Sequence, residues 1–461
     1  MTYLVLLLVY SALLVALGLW IGRRVRTAQH FFVAGRALGP GLLLSTLLAA
    51  NIGAGSTVGA ARLGYDNGLS AWWWVGSAGI GSLVLAFWVG PKIRTLAEER
   101  DFRTVGDFLD WRYGRSVRFI VSVLLMAGTL FILAGQLVAL SLVLNVVAGI
   151  DPIVGTIIGG LVMTTYFTAG GLLTSAAVNV VQLAVLLLGF AVALPLGLAH
   201  VGGLSGLHAS LPGPAYWDFT GSSRSGWGYL AMLAPAFIVS PGLLQKIYGA
   251  RDGSAVRWGT ALNAVVLLLF AFAPPLLGMV SRVLHPDLPN HELALPTLLR
   301  ADLPTHVGAL GLAALFSAEV STADAILFML ATATSQDLYR RFLAPGATEE
   351  QVLRVARLSA AGGGVLGVVL AIAFGSIIRT LEIFYTVLVV TLFVPLLMGL
   401  YVRRAGVREA IAAIVAGEAA MIAVHAATSG AGYGMFTPAL CGILASIGAA
   451  AVTLALPARG R

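Results

Sequence analysis

The sequence predicts an all-α polytopic membrane protein with about 13 transmembrane helices, an inverted five-plus-five repeat and two broken helices. Of the 461 residues, 59% are hydrophobic and 10% are charged, and the mean hydropathy is +0.93. A soluble domain carries about 25% charged residues. Apolar runs long enough to cross about 30 Å of hydrocarbon recur along the whole chain, which indicates many membrane crossings.

The apolar runs define the individual predicted helices. They lie at 3–22, 41–62, 69–91, 117–148, 152–169, 172–199, 227–248, 256–283, 305–338, 353–376, 380–402, 407–427 and 435–456. The first run lacks a basic segment before it and a small-residue cleavage site, so we expect a retained helix rather than a signal peptide. The runs at 117–148 and 305–338 are too long for a straight crossing, and we expect them to tilt or extend beyond the bilayer.

The basic residues indicate the orientation. Most of the 28 Lys and Arg residues fall in alternate loops, on one side of the predicted membrane. The rich side includes Arg23, Arg24, Arg26, Lys246, Arg459 and Arg461, whereas Arg62 and Arg224 fall on the other side. The positive-inside rule places the rich side in the cytoplasm. We therefore expect a multi-pass protein of the plasma (inner) membrane, with its N-terminus outside and its C-terminus in the cytoplasm.

Glycine and proline interrupt two of the predicted helices, within 51–57 (NIGAGST) and within 239–242 (VSPG). Such breaks free backbone groups, and two breaks at matching places indicate a transporter binding site at the membrane midplane. Small residues also suit plain helix packing, which is the alternative interpretation. The breaks lie five runs apart, as do the two long runs, which predicts two inverted five-helix units. The expected domains are 1–40 (an extra N-terminal helix and a cytoplasmic loop), 41–199 (first unit), 227–402 (second unit) and 403–461 (two C-terminal helices).

A group of polar residues lies in the middle of the long run at 305–338. Ala318, Ser321 and Thr322 fall at i, i+3 and i+4, so they share one helix face. Two hydroxyls and a carbonyl can replace water around a small hard cation, although Ser and Thr also join packed helices. Glu319 and Asp324 lie within the same two turns. Carboxylates are costly at membrane depth, so they usually line a cavity or carry ions.

Several motifs resemble those of the sodium:solute symporter family, which includes bacterial proline, pantothenate and sugar symporters. They are LAANI at 48–52, GG at 170–171 followed by NVVQ at 179–182, SPGLLQ at 240–245, and ST at 321–322 followed by DLY at 337–339. The resemblance covers nearly the whole chain and implies the inverted-repeat fold and a co-transported sodium ion. Carried over by position, the sodium ligands would be the carbonyls of Ala49, Ile52 and Ala318 and the hydroxyls of Ser321 and Thr322.

The sequence departs from this family at a second cation position. Where many members carry aspartate, this chain has Asn179, and Asp324 appears one turn after Ser321, where relatives often have Ser or Thr. We hypothesise that Asp324 shares a cavity with Asn179 and binds a second cation or a proton; a structural aspartate is the alternative. Glu319 lies about 140° around the helix from Asp324 and is a further proton-binding candidate.

The same resemblance places the substrate at the helix breaks. Expected contacts are Gly53, Ala54, Gly55 and Ser56 at the first break, Ser240, Pro241 and Gly242 at the second, and Gln136 and Tyr385 on other helices. Free N–H groups at a half-helix N-terminus would favour an anionic group on the solute. Trp72, Trp73 and Trp74 either shape the outer cavity or anchor the membrane interface.

These features predict a sodium-coupled secondary active symporter that imports a small polar organic solute by alternating access. The alternatives are a proton-coupled transporter that uses Glu319 or Asp324 and a transporter-like membrane sensor. We expect no enzyme, since the sequence has no HExxH, GxSxG or P-loop motif. Its basic residues form no patch with interleaved aromatics, so nucleic acid is not an expected partner. The expected partners are the solute and the lipid bilayer, with no obligate protein partner.

Overall fold

The computed structural model describes residues 2–22, 33–168, 172–211, 213–222 and 225–456. The sequence predictions that involve Arg23, Arg24, Arg26, Gly170, Gly171, Arg224, Arg459 and Arg461 lie outside the described residues. Within the described ranges the chain forms helices joined by loops, and its only β pairing is two isolated bridges. The all-α class is therefore confirmed.

The first half of the chain contains helices of very different length, and the longest, Arg115–Ala148, has 34 residues. Its α-helices are α1 (Thr2–Gly22), α2 (Pro40–Asn51), α3 (Ala60–Asn67), α4 (Trp72–Val84), α5 (Gly90–Glu99), α6 (Val105–Tyr113), α7 (Arg115–Ala148), α8 (Pro152–Thr168), α9 (Leu172–His200), α10 (Gly203–Ser210) and α11 (Pro214–Trp217). Single π-helical stretches at Gly55–Gly59 and Leu85–Val89 precede α3 and α5, and 3-10 turns lie at Ala34–Arg36 and Gly68–Ala71.

The second half contains ten further α-helices. They are α12 (Tyr229–Val239), α13 (Pro241–Tyr248), α14 (Gly253–Phe270), α15 (Ala273–Leu284), α16 (Ala294–Ala301), α17 (Thr305–Thr332), α18 (Glu349–Phe374), α19 (Ile377–Tyr401), α20 (Val407–Thr428) and α21 (Pro438–Ala455). A 3-10 turn, His291–Leu293, precedes α16, and a π-helical stretch, Ala333–Leu343, continues α17.

Local sequence sets several helix ends. Thr104 and Asp107 form a capping box at the start of α6, because each side chain accepts a hydrogen bond from the other's backbone N–H. Gly149 ends α7 at φ +67°, a left-handed conformation that glycine adopts without steric cost. The loops that follow such ends allow neighbouring helices to run back through the bundle.

Membrane crossings follow from helix length and hydropathy. Ten helices of the described residues are long and apolar enough to cross a bilayer, and Tyr3–Leu14, Pro40–Asn51 and Pro152–Thr164 are shorter apolar helices. The long runs at 117–148 and 305–338 appear as continuous helices at Arg115–Ala148 and Thr305–Leu343. The count of about 13 crossings remains a prediction.

Both predicted helix breaks are present. α2 ends at Asn51, and Ile52 is extended, with φ −105° and ψ 95°. α12 ends at Val239, and Ser240 leaves the helical region, with φ −51° and ψ 121°, before α13 begins at Pro241. Proline has no N–H to donate, so the helix is readily interrupted at that point.

The helix packing is reciprocal between the two halves. α2 packs against α14 while α12 packs against α4, and α9 packs against α17 while α19 packs against α7. The most apolar window of Thr305–Leu343 is 94% buried, whereas that of Val407–Thr428 is 28% buried. α17 is therefore the central helix, and α20 lies at the periphery. We call the end of the bundle that carries Arg100, Arg103, Arg118, Arg340 and Arg341 the arginine-rich end.

Candidate functional site

Five oxygen atoms converge where α2 ends. Ser321 Oγ lies 3.2 Å from the carbonyl oxygens of both Ala49 and Ala318. Thr322 Oγ1 lies 2.9 Å from the Ala49 oxygen and 3.1 Å from the Ile52 oxygen. Because α2 stops at Asn51, the carbonyls near its end lack the N–H groups that a continuing helix would supply. The structure thus brings all five expected sodium ligands together in a buried position.

The hydroxyl protons cannot satisfy these contacts. Each hydroxyl has one proton to donate, whereas Ser321 and Thr322 each face two carbonyl oxygens. Half of these close oxygen–oxygen contacts therefore bring partial negative charges together without a proton. A cation at their centre would replace that repulsion by attraction. Neutral oxygens also suit a monovalent ion, since tight divalent sites use carboxylates, so the donor set fits sodium.

Gly53 allows the first break to approach α17 closely. A Cβ atom at Gly53 would lie 2.5 Å from Thr322 Oγ1 and 2.6 Å from Gln136 Oε1, so a side chain would displace both groups. Gln136, on α7, accepts a hydrogen bond of 2.9 Å from the backbone N–H of Ala54. The break is therefore held from both sides, by α17 and by α7.

A small cavity adjoins this cluster of five oxygen atoms. Of the expected substrate contacts, Gly53, Gly55, Ser56, Gln136 and Tyr385 line it. Thr322 lines it too, so the cavity and the oxygen cluster share a wall. Sequence reasoning missed Asn51, Leu233, Phe237 and Leu381 and left Trp74, which lines the cavity, undecided. The described side chains around this cavity are all uncharged.

The other expected substrate contacts lie elsewhere. Ala54 is fully buried within the first break. Pro241 lines a second cavity, which extends to Asp337 near the arginine-rich end. Ser240 and Gly242 flank Pro241 and do not line the cavity beside the oxygen cluster. The residues of the two breaks therefore belong to two separate cavities in this conformation.

The three residues of the hypothetical second cation or proton site have different neighbours. Glu319 Oε1 lies 3.1 Å from Thr57 Oγ1, in the π-helical stretch after the first break. Asp324 is 6% exposed, and its charge acts on the buried Lys246 of α13. Asn179 is buried on α9, which packs along α17. Glu319 therefore faces a different part of the bundle from Asp324.

Glu292 joins three elements of the bundle through one carboxylate oxygen. Its Oε1 accepts hydrogen bonds from Arg62 at 3.0 Å, from the Ser376 hydroxyl at 3.1 Å and from the Ile377 N–H at 2.9 Å. Burial raises the pKa of Glu292 above its ordinary value of 4.5, and Arg62 and the hydrogen bonds oppose that rise. These contacts connect α3, the turn before α16 and the start of α19.

Arg118 forms a network of ion pairs at the arginine-rich end. Its guanidinium lies 3.0 Å from Asp107, 3.2 Å from Asp110 and 2.8 Å from Asp337, and its side chain is 5% exposed. The Thr104 hydroxyl donates a hydrogen bond of 2.5 Å to Asp337. This network connects α6, the start of α7 and the π-helical end of α17.

The interrupted helices, the buried oxygen cluster and the cavity that adjoins it define the class of a membrane transporter. The sequence matches the sodium:solute symporter family over residues 31–417. The chain therefore belongs to this family, and it is a sodium-coupled symporter.

The similarity to known transporters extends over most of the chain. The sodium/glucose cotransporter of Vibrio parahaemolyticus is 24% identical over 453 residues, which are 88% of this chain and 82% of that protein. High-affinity choline transporter 1 of Drosophila melanogaster is 24% identical over 420 residues, 86% of this chain and 66% of the longer transporter. The solved structure of a Na+-coupled sialic acid symporter, substrate-bound and outward-open, has a TM-score of 0.83 at 19% identity. That match covers 99% of this chain and 98% of the other.

Proposed function

We propose that this chain imports a small polar organic solute together with sodium by alternating access. Sodium is bound by the carbonyls of Ala49, Ile52 and Ala318 and by the hydroxyls of Ser321 and Thr322. The observation that carries this proposal is the oxygen cluster in which two hydroxyls face more carbonyls than they have protons to donate. Thr322 also lines the adjacent cavity, so sodium bound to Thr322 stabilises the position of a side chain in the solute-binding cavity. This shared residue couples the binding of sodium to the binding of the solute.

The solute binds in the cavity beside these oxygens. The names of the relatives point to different solutes: glucose, choline and sialic acid. In this chain, Gln136, Tyr385 and Ser56 offer polar groups, Trp74 and Phe237 offer aromatic faces, and the lining side chains are uncharged. A positively charged solute would meet no opposite charge in this lining, whereas the adjacent sodium ion compensates an anionic group, so the cavity favours a polar solute that is neutral or anionic.

The transporter lies in the plasma (inner) membrane with its arginine-rich end in the cytoplasm. The cluster of Arg100, Arg103, Arg118, Arg340 and Arg341 at one end of the bundle supports this orientation under the positive-inside rule. In this proposed orientation the N-terminus lies outside and the C-terminus lies inside. The Glu292 contacts then face the external solution.

Sodium binding tests the proposed site without knowledge of the solute. We expect sodium chloride to raise the unfolding temperature of the purified protein relative to potassium chloride at equal ionic strength, because a bound ion stabilises the folded state. Thr322→Val removes a hydroxyl ligand and keeps the side-chain shape. A hydrogen bond or ligand to a charge is worth about 1.5–3 kcal/mol, so the sodium affinity should fall about 10- to 100-fold.

Thr322→Ser is the matched control, since it keeps the hydroxyl and should keep most of the sodium affinity. A Thr322→Val protein that binds sodium as tightly as the wild type would contradict the proposed site. The solute is found by repeating the measurement with sugars, amino acids, carboxylates and quaternary amines, with and without sodium. A compound that stabilises the protein only with sodium is then tested for sodium-driven uptake into proteoliposomes.

A further inference from the structure

One lysine lies inside the helix bundle. Lys246 belongs to α13, the half-helix that follows the second break, and it is 2% exposed. Its ammonium donates a long hydrogen bond of 3.4 Å to the Gly242 carbonyl in the preceding turn. An ammonium has three protons to donate and is costly to bury without an opposite charge. A weak bond to its own helix does not compensate for that cost.

The opposite charge comes from Asp324 on α17. α13 packs against α17, and the carboxylate of Asp324 acts electrostatically on the Lys246 ammonium. Asp324 is 6% exposed and lies about one helical turn after Ser321. The lysine and the aspartate are therefore two buried, opposite charges that interact electrostatically near the hydroxyls of Ser321 and Thr322.

This pair changes what Asp324 can bind. A lone carboxylate at this depth would attract a second sodium ion or a proton. A carboxylate that faces an ammonium already has its charge compensated, so a second sodium ion would meet no net negative charge there. The ammonium is attached to α13 by its side chain, so it cannot cross the membrane with the solute.

We propose that Lys246 is a tethered cation that takes the place of a second co-transported ion beside Asp324, so that the chain binds one sodium ion. The inference rests on the proposed sodium-coupled function and specifies its ion count. With a solute of no net charge, each transport cycle then moves a single positive charge inward.

The test counts the sodium ions that bind to the purified full chain, with radioactive sodium alone as the probe. The wild type and the charge-preserving Lys246→Arg should each bind one ion. Lys246→Gln leaves Asp324 uncompensated, so binding should rise to two ions. The double variant Lys246→Gln/Asp324→Asn removes both charges and should return to one ion. Size-exclusion chromatography shows which variants are folded.

Two sodium ions on the wild type would overturn the inference and leave sodium-coupled transport intact. A folded Lys246→Gln protein that binds one ion would overturn it as well. If Lys246→Gln does not fold, the double variant decides: one bound ion supports the inference, whereas none would assign the first ion to Asp324 and overturn it. A wild type that binds no sodium would contradict the proposed function itself, which distinguishes the two failures.

Discussion

At the scale of single residues, the Thr57 hydroxyl faces two acceptors with one proton. It lies 2.9 Å from the Gly53 carbonyl and 3.1 Å from Glu319 Oε1. Glu319 is fully buried, and its Oε2 has no hydrogen-bond partner among the described residues. A neutral carboxyl group supplies the missing proton and avoids an uncompensated buried charge. We therefore expect Glu319 to be a protonated acid that supports the first break.

Substitution of Glu319 tests this assignment. Glu319→Gln keeps the shape and provides an N–H donor for Thr57, so the sodium affinity should stay within about twofold of the wild type. Glu319→Leu loses the hydrogen bond, worth about 1 kcal/mol, and should weaken sodium binding about fivefold. Both values come from sodium titrations of the unfolding temperature. An equal, large loss in the two variants would show instead that the ionised form of Glu319 is required.

The sequence predicted some of these residues and missed others for a physical reason. The spacing of Ala318, Ser321 and Thr322 defined a helix face, because the helical period is fixed. Lys246 was counted among the basic residues of the loops, but it is buried in α13. Lys246 lies near the end of the predicted run at 227–248, where a lysine side chain can also extend to the membrane surface, so the sequence does not distinguish a buried lysine from one at the interface.

At the scale of elements, the helix breaks were predictable and the π-helical stretches were not. Glycine and proline mark the breaks near Gly53 and Pro241, since both residues disfavour a continuous helix. No comparable residue marks the π-helical stretch at Ala333–Leu343. Asp337 is buried in this stretch and forms an ion pair with Arg118. The change in helical geometry therefore coincides with a tertiary contact, which the local sequence does not reveal.

We expect the Arg118 network to limit access from the arginine-rich end to the cavity beside Pro241. Arg118 joins Asp107, Asp110 and Asp337, and breaking a buried ion pair costs about 3–5 kcal/mol. Because Cys441 is the only cysteine, Cys441→Ser gives a background for a reporter at Ser122→Cys, which lines the cavity beside Pro241. We expect Arg118→Gln to increase labelling of this cysteine by an impermeant maleimide about tenfold or more.

Arg103→Gln provides the control for this experiment. Arg103 lies at the same end but pairs with the exposed Glu349 at 3.4 Å, a contact of little energetic value. Its substitution should leave the labelling rate of the reporter cysteine unchanged. If Arg118→Gln and Arg103→Gln label alike, the network does not hold this end closed.

At the scale of the whole molecule, the contacts between the two halves of the chain are reciprocal, since α2 packs against α14 and α12 packs against α4. A matching offset of five runs predicted inverted units at 41–199 and 227–402, and this division remains a prediction. The sequence could not predict the contacts at the two ends of the bundle, because they join side chains far apart in sequence, such as Arg62 and Glu292.

The burial of Glu292 makes the stability of the folded protein depend on pH. Glu292 is 3% exposed, and burial raises its pKa above 4.5 despite the opposing effect of Arg62. The pair of His291 and Asp66 lies beside it. A carboxyl group whose pKa is raised by folding binds its proton more tightly in the folded state. Its stabilising contribution is therefore complete below pH 4.5 and is lost as the pH rises through the folded value.

We therefore expect Glu292→Gln to remove part of the pH dependence of the unfolding temperature. The wild type should lose more stability than the variant as the pH rises from 4.5 through the raised pKa of Glu292, because only the wild type must ionise a buried carboxyl group. Differential scanning fluorimetry of both proteins across this range measures the difference. Glu350→Gln, which changes an exposed residue with a long 3.9 Å contact to Arg354, should follow the wild type. Parallel curves for the wild type and Glu292→Gln would mean that Glu292 keeps its ordinary pKa and that water reaches its carboxyl group.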